Sequence, residues 1–254
     1  MQRFRSESTT TGPSAARAFS LIELLVSIGV IALLLAILLP ALLGARSRGR
    51  EVVTLGNLRQ LSLTMEAYLG AYDQTYPWAP AGTWFTITPP DDLEPSSVYP
   101  GYWNLDIYWT ALMHDVAPWR QNFRSWVGPG GVDDAERPWL RARGAGIPSY
   151  HLSHTFFARP EVWAPAPVDS ATFYRPVSQR DVRFPSNKVM MWDEELTHLA
   201  NQPKADRDLR PMLFADGHAS VKRLSKAARP PAISFKPDTR PVVDTPNGVH
   251  GRDY

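Results

Sequence analysis

The chain has 254 residues, enough for one ordinary domain with extensions, and its 44% apolar fraction is that of a folded protein. The formal net charge is only +2, and the basic residues are scattered rather than gathered in a stripe, so a nucleic-acid partner is not expected. The absence of cysteine excludes disulfides, thiolate metal sites and cysteine nucleophiles.

The N-terminal part is organised like a membrane anchor. Residues 1–18 are polar and basic, and the run Leu24–Leu43 carries no charged side chain. As a helix this run would span roughly 30 Å, the thickness of a bilayer's hydrocarbon core. Because it is hydrophobic on every face, a retained anchor is favoured over the core helix of a soluble protein. An ordinary secretory signal peptide remains an alternative, although its apolar region would be shorter, about 7–15 residues.

A single carboxylate, Glu23, stands at the N-terminal end of the apolar run. A charged side chain costs about 2.5–3.5 kcal/mol at the centre of a membrane helix and less near the interface. Two interpretations follow. Glu23 is either solvated at headgroup depth or paired with a cation elsewhere in an assembly.

The segment from Ala18 to Glu23, Ala-Phe-Ser-Leu-Ile-Glu, with the apolar run behind it, resembles the class III signal of type IV prepilins and type II secretion pseudopilins. The resemblance implies that a prepilin peptidase cuts after Ala18 and that the new N-terminus, Phe19, is methylated. It also implies that Glu23 pairs with the Phe19 amine of a neighbouring subunit in a fibre. The family usually has Gly before the cut, where this chain has Ala18. Pro40 resembles the proline that bends or locally melts pilin helices.

The helical pattern continues beyond the membrane run. Apolar residues recur at steps of three and four, which predicts one stripe facing the rest of the protein. They are Val52, Leu55, Leu58, Leu61, Met65, Tyr68 or Leu69, and Tyr72. Residues 1–18 are therefore predicted to be a leader peptide, and residues 19–76 a transmembrane and spine helix.

A narrower resemblance covers two further stretches. Residues 57–61, Asn-Leu-Arg-Gln-Leu, with Tyr68, Tyr72 and Tyr76-Pro77 behind them, are similar to pilin-like proteins abundant in planctomycete and verrucomicrobial genomes. Those proteins often carry a C-terminal Phe-Ala-Asp-Gly-His stretch with a histidine ten positions upstream. Residues 214–218 match the stretch. Position 206, however, is Asp206, and His198 stands at a different spacing, so no role of that histidine is transferred.

Residues 77–228 are predicted to form a periplasmic α+β head in which a small antiparallel sheet packs on the spine helix. The pattern predicts a helix near 107–116, a strand at 188–192 and a hairpin of strands 212–214 and 219–221. Asp216-Gly217 would join the hairpin, since Asp-Gly tolerates the positive φ angles of tight turns. Residues 229–254 are rich in proline and are predicted to be an extended or disordered tail.

Three sets of polar residues are candidates for chemistry. Phe214, Asp216, Gly217 and His218 are explained by the hairpin without catalysis or metal binding. His151 and His154 could be metal ligands on one helix face, but with no carboxylate near them in sequence a packed or exposed pair is favoured. The weak candidates for metal binding are four acidic residues: Asp193, Glu194, Glu195 and Asp216. Calcium would suit these oxygen ligands, but a solvated acidic turn is the default, and no cofactor is expected.

The sequence thus predicts a structural subunit rather than an enzyme. It would cross the inner membrane once, with a cytoplasmic N-terminus and a periplasmic head, and assemble with other pilin-like subunits into a type II secretion pseudopilus or a related type IV filament. One rival is a membrane-tethered module binding carbohydrate or a secreted substrate, which an exposed tryptophan cluster would favour. Another is a tethered periplasmic enzyme, which requires His151, His154 and Glu194 or Asp216 to converge.

Overall fold

The computed structural model describes residues 20–80, 85–87, 96–98, 102–129, 148–167, 171–199 and 206–254. Ala18 and Phe19 lie outside these ranges, so the predicted cleavage site is not among the described residues. The chain divides into two units, residues 1–45 and 46–254, and each is considered by itself.

The first helix, α1, runs from Leu21 to Ala71. In the first unit its side chains are exposed, and it is the one helix in the described ranges that is long and apolar enough to cross a membrane. The helix assignment continues through Pro40, so the predicted bend at this residue stays a prediction. The helix ends where Asp73 and Gln74 adopt left-handed backbone angles, φ 49° and 58°. The long N-terminal helix predicted from the sequence is confirmed.

In the second unit, the buried residues of α1 fall on one stripe, as the spacing predicted between Leu58 and Leu69. The predicted members Val52 and Tyr72 are instead 68% and 40% exposed. The buried residues are Thr54, Leu58, Leu61, Ser62, Met65, Tyr68 and Leu69. This stripe shares a hydrophobic core with sheet residues such as Leu152, Met191 and Leu213. Residues 46–71 of α1 therefore pack on a sheet, and the predicted α+β class is confirmed.

The sheet has four antiparallel strands in the order β3-β4-β5-β6. They are β3 Tyr150–Leu152, β4 Val189–Asp193, β5 Leu209–Phe214 and β6 Ala219–Arg223. A separate two-stranded ribbon consists of β1 Phe85–Ile87 and β2 Ser96–Val98. The predicted strand at 188–192 and the predicted hairpin are both confirmed.

Two short helices complete the regular structure between the ribbon and β3: α2 Leu105–Leu112 and α3 Trp119–Trp126. The sequence placed one helix at 107–116, and α2 begins two residues earlier and ends four earlier. The Trp109 indole of α2 donates to the Tyr150 carbonyl at 2.9 Å, which joins the helix to β3. Helix α3 was not predicted.

The prediction of an extended or disordered tail at residues 229–254 is wrong. Val242 and Val243 are buried and form a second core cluster with Trp192, Met212 and Phe214 of the sheet. The segment is irregular, yet it covers the sheet face opposite α1. Its large apolar residues are few and widely spaced, and proline prevents regular pairing, so local composition gave no sign of this packing.

The hairpin between β5 and β6 turns directly against α1. The Phe214 amide donates to the His218 carbonyl at 2.9 Å, so the loop comprises residues 215–217 and contains the predicted Asp216-Gly217. Gly217 has φ +87°, and a Cβ added there would lie 2.8 Å from the Ser62 hydroxyl oxygen. Glycine is thus required both by the backbone angle and by the approach to the helix.

We expect Gly217→Ala to destabilise the protein by about 1–2 kcal/mol, because the Cβ of an alanine is strained in a left-handed backbone conformation. Gly56→Ala is the matched control. That glycine is exposed on α1 with nothing within 4 Å of an added Cβ, so alanine should stabilise the helix by about 0.5–1 kcal/mol. Denaturant unfolding of both variants in detergent measures the difference. Equal effects would contradict the turn's role.

Candidate functional site

The first described residues form a helix cap around Glu23. The Ser20 amide donates to Glu23 Oε2 at 2.9 Å, and the Glu23 amide donates to Ser20 Oγ at 3.2 Å. This reciprocal pair is a capping box, in which two otherwise unpaired N–H groups of the first turn are satisfied. Sequence reasoning missed it, although the Ser-x-x-Glu spacing was its signal. Within its own chain, Glu23 therefore has Ser20 as a partner, and Ser20 directly follows the predicted N-terminus, Phe19.

The second site is a buried group of histidines and carboxylates in the head, the histidine cluster: Asp106, His151, His154, Glu195 and Asp244. Asp106 Oδ2 lies 3.3 Å from His151 Nδ1 and 3.7 Å from His154 Nε2. His154 Nδ1 is hydrogen-bonded to Asp244 Oδ1 at 2.8 Å, and His151 Nε2 lies 3.6 Å from Glu195 Oε1. The cluster joins α2, β3, the residues after β4 and the C-terminal segment.

The cluster favours charged histidines. Burial alone would lower the pKa of His151, but the carboxylates of Asp106 and Glu195 outweigh it and raise the pKa to about 9. Neither ring nitrogen of His151 meets the geometry of a hydrogen bond, so the attraction is charge–charge at 3.3 and 3.6 Å. Burial opposes charge at His154 as well, and Asp106 and Asp244 raise its pKa. Burial would raise the pKa of Asp106, but the two histidines hold it well below its usual range.

Two basic side chains of the C-terminal segment complete the charge balance. Arg240 lies 3.7 Å from Asp106 Oδ2 and 2.9 Å from Glu194 Oε1. Lys236 lies 3.1 Å from Asp244 Oδ2. Each carboxylate of the cluster therefore faces a basic or imidazole group. This arrangement corrects the expectation that no carboxylate stands near the two histidines, because Asp106 and Asp244 are remote only in sequence.

The acidic residues at the end of β4 and directly after it are already bound by protein groups. Asp193 accepts from the Thr197 amide at 3.1 Å and lies 2.8 Å from His198 Nδ1. Glu194 accepts from the Trp192 indole at 2.8 Å and faces Arg210 and Arg240. In the part of the chain that the structure describes, no three His, Asp or Glu side chains are arranged to hold a metal ion.

Asp216 and His218 belong to the hairpin rather than to the histidine cluster. His218 Nδ1 lies 2.6 Å from Asp216 Oδ1, and its ring stacks on Phe214 with centroids 4.2 Å apart. Asp206, at the position where the resembling proteins have histidine, instead pairs with Arg223 of β6 at 2.7 Å. Of the residues that a tethered enzyme requires, His151 and His154 converge on Asp106, and the charge of Glu194 contributes to the raised pKa of His151. Asp216 lies apart from them in the hairpin.

The tryptophans whose side chains the structure describes lie mainly in the core. Among the side chains that the structure describes, Trp109, Trp126, Trp163 and Trp192 are buried, and Trp78 and Trp103 are partly buried. The Trp78 indole donates to the Tyr102 hydroxyl at 3.2 Å. Within the described ranges, no cluster of exposed tryptophans offers a carbohydrate platform.

Comparison with known proteins yields one match. Residues 13–39 match the family model described as the prokaryotic N-terminal methylation motif. The matched stretch contains Ala18, Phe19 and Glu23, and it supports a type IV pilin-like precursor that a prepilin peptidase processes. No curated protein and no solved structure matches the chain.

The raised pKa of His151 predicts a loss of stability at alkaline pH. Since an unfolded histidine titrates near 6.5, the charged ring contributes fully below about pH 6.5, and its contribution disappears as pH rises towards 9. We expect the free energy of unfolding to fall over this range by on the order of 2–3 kcal/mol. His151→Gln should remove most of this dependence, whereas His114→Gln, at an exposed position, should retain it. Denaturant unfolding from pH 6 to 9.5 provides the measurement, and an unchanged slope in His151→Gln would contradict the assignment.

Proposed function

We propose that this protein is a prepilin-like structural subunit of a type II secretion pseudopilus or a related type IV filament. Prepilin peptidase cuts after Ala18, the Phe19 amine is methylated, and helix α1 holds the subunit in the inner membrane until assembly. The head stands on the periplasmic side, and the N-terminus begins in the cytoplasm. In the filament, the apolar part of α1 packs against the same part of neighbouring subunits.

The observation that carries this proposal is the methylation motif at residues 13–39, which contains most of the exposed apolar part of α1. An exposed apolar helix of this length needs either lipid or other helices around it. A fibre subunit meets both needs in turn, since the membrane covers the helix before assembly and neighbouring helices cover it afterwards.

The head supports a structural role without a cofactor. The histidine cluster is buried and balanced in charge, and its acidic neighbours already accept hydrogen bonds from the protein. The described tryptophans are packed inside, so the rival binding module lacks its expected surface in these ranges. The stretch at 214–218, which resembles that of planctomycete and verrucomicrobial pilin-like proteins, serves here to turn a hairpin against α1.

Processing is tested by intact-mass and N-terminal analysis of the protein from its native membrane. We expect a chain that begins with methylated Phe19. A chain that begins at Met1 would show that Ala18 prevents cleavage and would favour a tethered module. A start after residue 43 would identify an ordinary secretory signal and overturn the anchor.

Assembly is tested at Glu23, with Ser20 as the control. Glu23→Ala should insert in the membrane normally but enter filaments at least about tenfold less, as expected for a lost interaction of 1.4 kcal/mol or more. Ser20→Ala removes one hydrogen bond of the helix cap and keeps the carboxylate, so filament entry should be nearly normal. Equal defects would assign Glu23 to capping alone, and normal entry of Glu23→Ala would contradict the pairing.

A further inference from the structure

A lysine and an aspartate meet in the interior of the head with no access to water. Lys188, directly before β4, and Asp253, the penultimate residue, are both at most 1% exposed. Lys188 Nζ lies 3.3 Å from Asp253 Oδ2. A buried ion pair is costly, because each ion loses its hydration and the mutual attraction only partly replaces it. Burial also lowers the pKa of Lys188, partly offset by Asp253, and this favours the neutral, nucleophilic amine.

Two further groups hold the pair in a defined orientation. The backbone amide of Val189 donates to Asp253 Oδ2 at 2.7 Å. The Thr245 hydroxyl accepts from Lys188 Nζ at 2.5 Å and donates to Asp253 Oδ1. The two carboxyl oxygens therefore differ. One faces an amide donor, and the other is linked to the lysine nitrogen through a hydroxyl.

From this geometry we propose that Lys188 and Asp253 condense to an intramolecular isopeptide bond, which fastens the C-terminal segment to the sheet. The reaction joins an ammonium and a carboxylate to give an amide and one water molecule. It requires no oxidant, reductant or co-reactant.

The surrounding groups fit each step of the reaction. Through the Thr245 hydroxyl, one proton passes from Nζ to Oδ1, which leaves a neutral amine and a carboxylic acid. The amine attacks Cγ, and the negative charge that develops on Oδ2 is stabilised by the Val189 amide. The surplus proton on nitrogen follows the same path through Thr245 to Oδ1. The Cγ–Oδ1 bond then breaks, Oδ1 leaves as water, and Oδ2 remains as the amide oxygen.

A second buried lysine–aspartate pair in the head lacks these features. Lys236 lies 3.1 Å from Asp244, but it also lies 3.3 Å from Asp238, whose side chain is 78% exposed. The Asp244 carboxylate accepts from the Arg240 amide at 2.8 Å and is bonded to His154. This lysine is shared between two carboxylates, one of them exposed, which makes it the matched control.

The test is the mass of the purified full chain after denaturation. We expect the measured mass to be lower by one water than the mass calculated for the chain from its actual N-terminal residue. Trypsin should then yield residues 184–204, uncut at Lys188, joined to Asp253–Tyr254. The peptide map is essential, because a succinimide at Asp216-Gly217 would lower the mass equally.

The variants separate the bond from other losses of water. Lys188→Arg and Asp253→Ala should have the full mass, and Lys236→Arg should keep the deficit and the joined peptide. A wild-type chain of full mass that is cut normally after Lys188 would overturn the proposal and leave an ion pair. A deficit that persists in Lys188→Arg would also overturn it. These readouts do not depend on filament assembly, so they stand apart from the proposed function.

Discussion

Both faces of the four-stranded sheet are apolar, and the head can fold only if each face is covered. Met191 and Leu213 point to one face, and Trp192, Met212 and Phe214 to the other. The first face is covered by the buried stripe of α1, because the 3.6-residue period of a helix places its regularly spaced apolar residues on one side. The second face receives the irregular C-terminal segment, where the local sequence provides no such regular stripe.

The C-terminal segment must therefore be held by interactions other than a broad hydrophobic surface. Val242 and Val243 are its residues in the second core, and the buried aspartates that follow them meet partners from the rest of the head. His154 meets Asp244, and Lys188 meets Asp253. A buried ion pair adds little net stability when compared with apolar packing, but leaving one partner alone is strongly unfavourable. These pairs therefore reject alternative placements of the segment more than they strengthen the correct one.

The difference between the regular helix and the irregular C-terminal segment also determines how much of the structure the sequence predicts. Helix α1, strand β4 and the β5–β6 hairpin follow from patterns within a few residues, and all three were predictable. The cap formed by Ser20 and Glu23 is equally local and was overlooked. The histidine cluster is different, because His154 and Asp244 stand 90 positions apart. No periodicity connects these two residues. The proline-rich composition of the C-terminal segment indicates its local backbone conformation, but it does not indicate which charged residues of the head it will meet.

Glu23 caps its own helix in the structure, and the proposed fibre would offer its carboxylate a second partner with a different interaction energy. Within one chain its carboxylate accepts from the Ser20 amide, an interaction of the kind that stabilises a helix by about 1 kcal/mol. The proposed pairing with a neighbour's Phe19 amine joins two full charges, for which the attraction at 4 Å is about 4 kcal/mol at an effective dielectric constant of 20. Part of this energy is lost to desolvation, but the same carboxylate would be costly in lipid without a cation. The cap is therefore suited to the isolated subunit, and the neighbour's amine to the proposed fibre.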